Sequence, residues 1–298
     1  MRRFSAVAVL AFLSVATAVV AQPIPSAVIS DPPPDKAFPA KMDVVAIPSH
    51  GSTMHGVLYL ASGAGPHPTL LLMHGFPGNE QNLDLAQSVR RAGWNVLTFH
   101  YRGSWGSEGA FSFGHALEDA DSAIAFLRDP ANAKHYRIDP VRIAVAGHSM
   151  GGLMAAHAAA NDKGIVAVAL ISAWNIGGEA AALTSASDRL QEVKSFSEDM
   201  ESLAGCTPET LVADALAHQT DWNFVAYANA LTTRPLLLIT SDDGNAPDSQ
   251  ALAAAVRKAG GKAITEVHFP TDHPYSDHRI ALQAAFVQWL ETLDSAKP

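Results

Sequence analysis

The sequence predicts a single, mostly parallel α/β domain, and three observations carry that expectation. Eight short apolar runs suited to strands recur between Val44 and Phe269. Amphipathic stretches long enough to cross over a sheet lie between most of them. The later runs are continuously apolar, as strands buried on both faces are, whereas a half-exposed antiparallel strand alternates. An alternating β-α order of this kind implies one sheet with helices on both faces.

Taken in order, the strand-like runs are VVAI, GVLYLA, TLLLMH, NVLTFHY, RIAVAG, VAVALIS, PLLLIT and ITEVHF. The first two have no helix between them, and MHGV after Gly51 reads as a hairpin return. The crossover helices are expected in NLDLAQSVRRAG, LEDADSAIAFLRD, GGLMAAHAAAN and DSQALAAAVRKAG. The last stretch, DHRIALQAAFVQWLETL, sets Leu282, Phe286, Trp289 and Leu293 at helical spacing, giving one apolar stripe. One interval breaks the rhythm: roughly 175–234 is helical in pattern but has no strand, and connections of that length in a compact domain are usually functional. It is expected to form a helical cap over the carboxyl ends of the strands, where open α/β sheets bind ligands.

The N-terminus predicts export. Two arginines precede an apolar and small-residue run from Phe4 to Val20, the pattern of a secretory signal peptide over 1–21, cleaved near Ala21, with an uncleaved membrane anchor as the alternative. A secreted or periplasmic protein without lasting membrane association follows from cleavage. Residues 22–40 hold six prolines and are expected to be an extended linker without helix or ladder. The folded domain is expected over 41–298. A formal charge of −9, with no basic cluster, argues against nucleic acid as a partner. One cysteine, Cys206, permits neither an internal disulfide nor a cysteine-built metal centre.

The sharpest motif is Gly147-His148-Ser149-Met150-Gly151, a G-x-S-x-G pentapeptide directly after an apolar strand and directly before a helix. Glycines two residues either side of the serine let it sit on a strained turn that exposes its hydroxyl at a helix N-terminus. Ser149 is therefore the expected nucleophile. His148, adjacent to it in so sharp a turn, is expected to pack or position rather than act as a base.

With this motif in its strand-turn-helix setting, the chain resembles the α/β-hydrolase superfamily from Lys41 to Leu293, in its serine esterase and prolyl-oligopeptidase-like branch. The resemblance implies an α/β-hydrolase fold with an eight-stranded sheet and a cap insertion. In MHGFPGN, after the third strand, it implies that the backbone N–H of Phe76, with that of Met150, forms the oxyanion hole, and that His74 braces the loop. HYRGSWGSEG is similar to an Arg-Gly loop of those branches, with Arg102 holding the loop and Trp105 lining the pocket. Trp174 is a second candidate for substrate contact, and the cap aromatics Trp222, Phe224 and Tyr227 are expected to complete an apolar pocket.

The family's chain order is Ser, then Asp, then His. PLLLITSDDGNAP supplies Asp242 and Asp243, and alignment to the family's pattern implies Asp243, although Thr240 stands where a glycine is common. DHPYS matches the family's Asp-His-x-aromatic-Ser, which implies His273 as the base, while His278 falls at the start of the last helix as a packed or capping residue. The expected activity is hydrolysis of a small carboxylic ester without metal or cofactor. A serine peptidase and a noncatalytic binding protein of the same fold are the alternatives.

Overall fold

The computed structural model describes residues 23–295; the expected signal peptide lies outside the described residues. The first described element is a one-turn helix, α1 (Ser26–Ile29), which corrects the expectation that the proline-rich linker forms no helix. Its four residues contain no proline, and Pro25 stands just before the first turn, where a missing N–H costs nothing. Nor does the segment run free. Ala27 is buried, Arg91 donates to the carbonyls of Ala27 and Val28, Gln288 donates to that of Pro23, and Arg137 stacks over Phe38.

β1 (Lys41–Ser49) and β2 (Ser52–Leu60) form the expected hairpin, paired antiparallel. Its two-residue turn puts His50 and Gly51 at φ 47° and 84°, the primed geometry that matches strand twist. There follow β3 (His67–Met73), α2 (Leu83–Arg91), β4 (Asn95–Phe99), α3 (Phe113–Arg128), α4 (Pro130–His135), β5 (Ile138–His148), α5 (Met150–Asn161) and β6 (Ile165–Ile171). The interval without a strand holds α6 (Ile176–Ala182), α7 (Ala186–Phe196), α8 (Pro208–Ala217) and a 3₁₀ helix, Phe224–Asn229. The chain then returns to the sheet with β7 (Leu236–Thr240), α9 (Ala246–Lys258), β8 (Ile264–His268) and α10 (Arg279–Ser295).

The eight strands lie in the order β1-β2-β4-β3-β5-β6-β7-β8, parallel from β4 to β8. The continuous apolar character of the central strands has a direct structural cause. Along β3, Leu70 and Leu72 feed a core under α2 and α10, while Leu71 and Met73 feed the other under α3, α5 and α9. Along β5, Ala144 and Ala146 face the first core, where Phe286 and Trp289 of α10 need room, and Ile143 and Val145 face the second. Both faces exclude water, so neither can be polar.

Candidate active site

The carboxyl ends of β3, β5, β7 and β8 converge, as expected for a ligand site in such a sheet. Ser149 follows β5 with φ 55° and ψ −122°, a strained conformation for a residue with a side chain. Its N–H donates to Ile171 O at 2.9 Å and its carbonyl accepts from Trp174 at 3.0 Å, so the end of β6 pins the turn. The motif glycines are required by close approach. A Cβ at Gly147 would collide with the carbonyl of Gly151, and one at Gly151 with that of Met73. Gly75, in the loop after β3, lies against the serine itself: a Cβ there would sit 2.8 Å from Ser149 Cβ and 3.3 Å from its Oγ. Thus the loop carrying Phe76 borders Ser149. Met150 opens α5, so its N–H is among those a helix leaves without an internal acceptor.

His273, in the loop after β8, donates from Nδ1 to Asp243 Oδ2 at 2.6 Å. The Asp243 side chain is 4% exposed and that of His273 37%. Burial pushes the Asp243 carboxyl up, but hydrogen bonds from His273, the Asn245 N–H (2.9 Å to Oδ1) and Ser172 outweigh it and hold the group well below the usual carboxylate range. Asp242 is the solvated member of the pair, its side chain 64% exposed beside His268. His278 precedes α10, accepts the Leu282 N–H on its carbonyl and pairs with its neighbour Asp277.

Two buried histidines brace the site. His74 donates from Nδ1 to Gly75 O at 2.7 Å and meets His100 at 3.4 Å through Nε2, while Tyr101 donates to its carbonyl. His148 donates from Nε2 to the carbonyl of His273 at 3.0 Å, and the two rings lie 4.5 Å apart. Burial above all lowers both, His74 to about 4 and His148 to about 3, so both are neutral.

Residues 70–286 match the Alpha/beta hydrolase family. The chain belongs to that family. A curated relative, the uncharacterised protein YfhR of Escherichia coli O157:H7, is 26% identical over 199 residues, 64% of this chain and 68% of its own. Among solved structures, an esterase of Pyrobaculum calidifontis superposes with a TM-score of 0.64 at 20% identity, covering 87% of this chain and 88% of that one. The metagenomic carboxylesterase EstE1 gives 0.60 at 22%, covering 88% and 91%. The acylaminoacyl peptidase of Pyrococcus horikoshii gives 0.60 at 18%, covering 85% of this chain but 41% of that one. At such identities these three share the alpha/beta hydrolase fold with this chain.

The alpha/beta hydrolase core holds its cap through the loop after β4. Trp105 and Phe111 donate their N–H groups to Ser202 and Ala204 carbonyls, and Ser104 bridges to Leu203. Arg102 anchors that loop, donating from Nε to the fully buried Asp119 at 2.6 Å. Trp105, 42% exposed, stacks on His100 and donates to Pro77 O at 2.8 Å.

The expectation that Trp222, Phe224 and Tyr227 line the pocket is corrected. Asn175 accepts the Phe224 N–H and draws that chain beneath the cap. Phe224 is fully buried in the core, Trp222 stacks on His218, and Tyr227 packs on His157 of α5. The aromatics around the Ser149 loop are instead Phe76, Phe113, Trp174 and Phe196. Phe76 lies 5.3 Å from Phe196 and 6.4 Å from Trp174 between ring centroids, and Trp174 Nε1 donates to Glu179 of the cap.

Sequence reasoning passed over Ser172, Ser241 and Tyr275. Ser172 Oγ lies 2.8 Å from both Ser241 Oγ and Tyr275 Oη, and all three residues are buried. Serines at strand ends carry no sequence signal. Tyr275 was visible only as the aromatic of DHPYS.

Proposed function

We propose that the chain is an exported serine hydrolase that cleaves neutral carboxylic esters with short to medium acyl groups. What supports this most is the 2.6 Å hydrogen bond between His273 and the buried Asp243, at strand ends shared with Ser149 on its strained turn. With Nδ1 committed to Asp243, Nε2 is the basic atom of the His273 ring. It takes the Ser149 proton as Oγ attacks the ester carbonyl. The N–H groups of Phe76 and Met150 face the oxyanion of the tetrahedral intermediate. Its collapse breaks the ester C–O bond, and the imidazolium returns the proton to the departing alkoxide. Water, deprotonated by the same nitrogen, then attacks the acyl-enzyme and releases the acid and free Ser149. Throughout, Asp243 holds the tautomer and stabilises the imidazolium.

Ester over amide follows from the loop bearing Phe76, which offers a backbone N–H and an apolar ring but no side-chain hydroxyl. Amide cleavage demands more oxyanion stabilisation and more leaving-group protonation. The rings of Phe76, Trp174 and Phe196 favour an apolar acyl group. The test is kcat/KM for p-nitrophenyl esters of increasing acyl length beside aminoacyl and dipeptidyl p-nitroanilides. Esters should exceed anilides by about 10² or more; an anilide equal to the best ester would overturn the ester reading in favour of a peptidase. Export is tested by the mass of the protein recovered outside the cytoplasm, expected to begin at Gln22.

A further inference from the structure

The Phe76 N–H can serve an oxyanion only while its loop is held still, and the loop's own backbone does little of the holding. Among the described residues, no N–H from Phe76 to Glu80 donates to a main-chain carbonyl, and Pro77 has no N–H to give. The loop is fixed instead through its carbonyls, four of which accept from side chains. Tyr101 donates to His74 O at 3.1 Å, His74 Nδ1 to Gly75 O at 2.7 Å, Trp105 Nε1 to Pro77 O at 2.8 Å and Gln81 to Gly78 O at 3.3 Å. The C=O and N–H of a trans peptide point opposite ways, so the His74 bond aims the Phe76 N–H from behind. The Trp105 bond ties the chain down on the other side of Phe76.

Trp105 is itself held on three sides. Its backbone sits at φ 49°, which residues with side chains rarely adopt. Its N–H donates to Ser202 O of the cap at 2.9 Å, and its ring stacks on His100, whose Nδ1 lies 3.4 Å from His74 Nε2. Gly78 completes the fit: a Cβ there would lie 2.6 Å from Trp105 Nε1 and 2.8 Å from the His74 ring. Core packing explains neither the strain nor a large ring left 42% exposed. The single indole N–H on Pro77 O explains both.

We propose that Trp105 is a positioning residue for the oxyanion hole, its indole N–H, held by the cap and by His100, fixing the Pro77 carbonyl and through it the Phe76 N–H. This rests on the serine hydrolase reading above, and it gives Trp105 a role other than lining the acyl pocket. A lining residue acts on binding, and its effect differs from one acyl group to the next. A residue that aims an oxyanion donor acts on the transition state and affects every ester alike.

The test compares wild type with Trp105→Phe and Trp105→Ala as purified proteins, with folding checked by the thermal midpoint. Phenylalanine keeps a ring against His100 and removes the donor; alanine removes both. The readouts are kcat and KM on p-nitrophenyl acetate, butyrate and hexanoate, and the Ki of an alkyl trifluoromethyl ketone, whose adduct with Ser149 places an oxyanion in the same hole. A whole oxyanion donor is worth about 10²–10³ in kcat, and a loosened one part of that. Both variants should therefore lose about tenfold in kcat on all three esters, with KM within about twofold, and the ketone Ki should rise by the same factor. If folded Trp105→Phe keeps the wild-type kcat and Ki, the inference falls while the hydrolase reading stands. A loss confined to KM, one that varies with acyl length, or one without a matching rise in Ki overturns it equally. A wild type that turns over no ester and does not bind the ketone overturns the hydrolase reading, and this inference with it.

Discussion

His148 donates its Nε2–H to the main-chain carbonyl of His273 at 3.0 Å, and the two rings lie tilted against each other with centroids 4.5 Å apart. Its Nδ1 is buried without a hydrogen-bond partner. The residue before the proposed nucleophile therefore holds the loop of the candidate base through a main-chain acceptor, linking the β5 turn to the β8 loop. His148→Phe keeps a ring but removes the donor, freeing the loop. We expect kcat to fall about tenfold with little change in KM, since a misplaced base costs rate more than binding. A kcat within twofold of wild type would show that the loop holds its place without this bond.

The same burial makes the fold sensitive to acid. His74 and His148 are held down to about 4 and about 3, against about 6.5 for an unfolded histidine. His100 and His157 are lowered too, by burial. Above about pH 6.5 neither state binds these protons and there is no effect. Below it the unfolded chain takes up protons that the native one refuses, so stability falls as pH falls toward the folded values, by up to about 1.4 kcal/mol per pH unit for each histidine. Asp243 acts in the same sense at lower pH: its depressed carboxyl stabilises the fold above the ordinary carboxylate range, and that contribution is lost as pH drops from there through its folded value. Urea unfolding at pH 7.5, 6.0 and 5.0 should show a falling midpoint, with a shallower fall in His148→Phe. A midpoint constant between pH 7.5 and 5.0 would contradict the buried neutral histidines.

The two neighbouring aspartates separate cleanly by environment. Asp243→Asn should lower kcat about 10²-fold or more, because an amide in place of the buried carboxylate neither fixes the tautomer nor stabilises the imidazolium. Asp242→Asn should stay within about threefold, its partner being the exposed His268. Mild effects in both variants would place the acid elsewhere.

What was legible in the sequence is what local patterning encodes. All eight strands and the main crossover helices could be read because burial on both faces forces runs such as LLLM and IAVA. The Gly147 to Gly151 turn could be read because collisions with the Gly151 and Met73 carbonyls leave no room for a Cβ. Long-range relationships could not be read. Phe224 looks like a pocket aromatic until Asn175, 49 residues earlier, is seen to accept its N–H. Ser172 is an ordinary strand-end serine until Tyr275, 103 residues later, comes within 2.8 Å. The proline-rich segment reads as an extended spacer, and only the carbonyl acceptors it offers to Arg91 and Gln288 reveal that it docks.

The central claim is that Ser149 is a nucleophile activated within this constellation. The most direct measurement treats the purified protein with a fluorophosphonate probe and locates the adduct by peptide mass spectrometry, alongside Ser149→Ala and His273→Ala. The account predicts one adduct per chain on Ser149, none in Ser149→Ala, and labelling slowed about 10³-fold or more in His273→Ala. Undiminished labelling of folded Ser149→Ala, or a folded wild type that stays unlabelled, would contradict it.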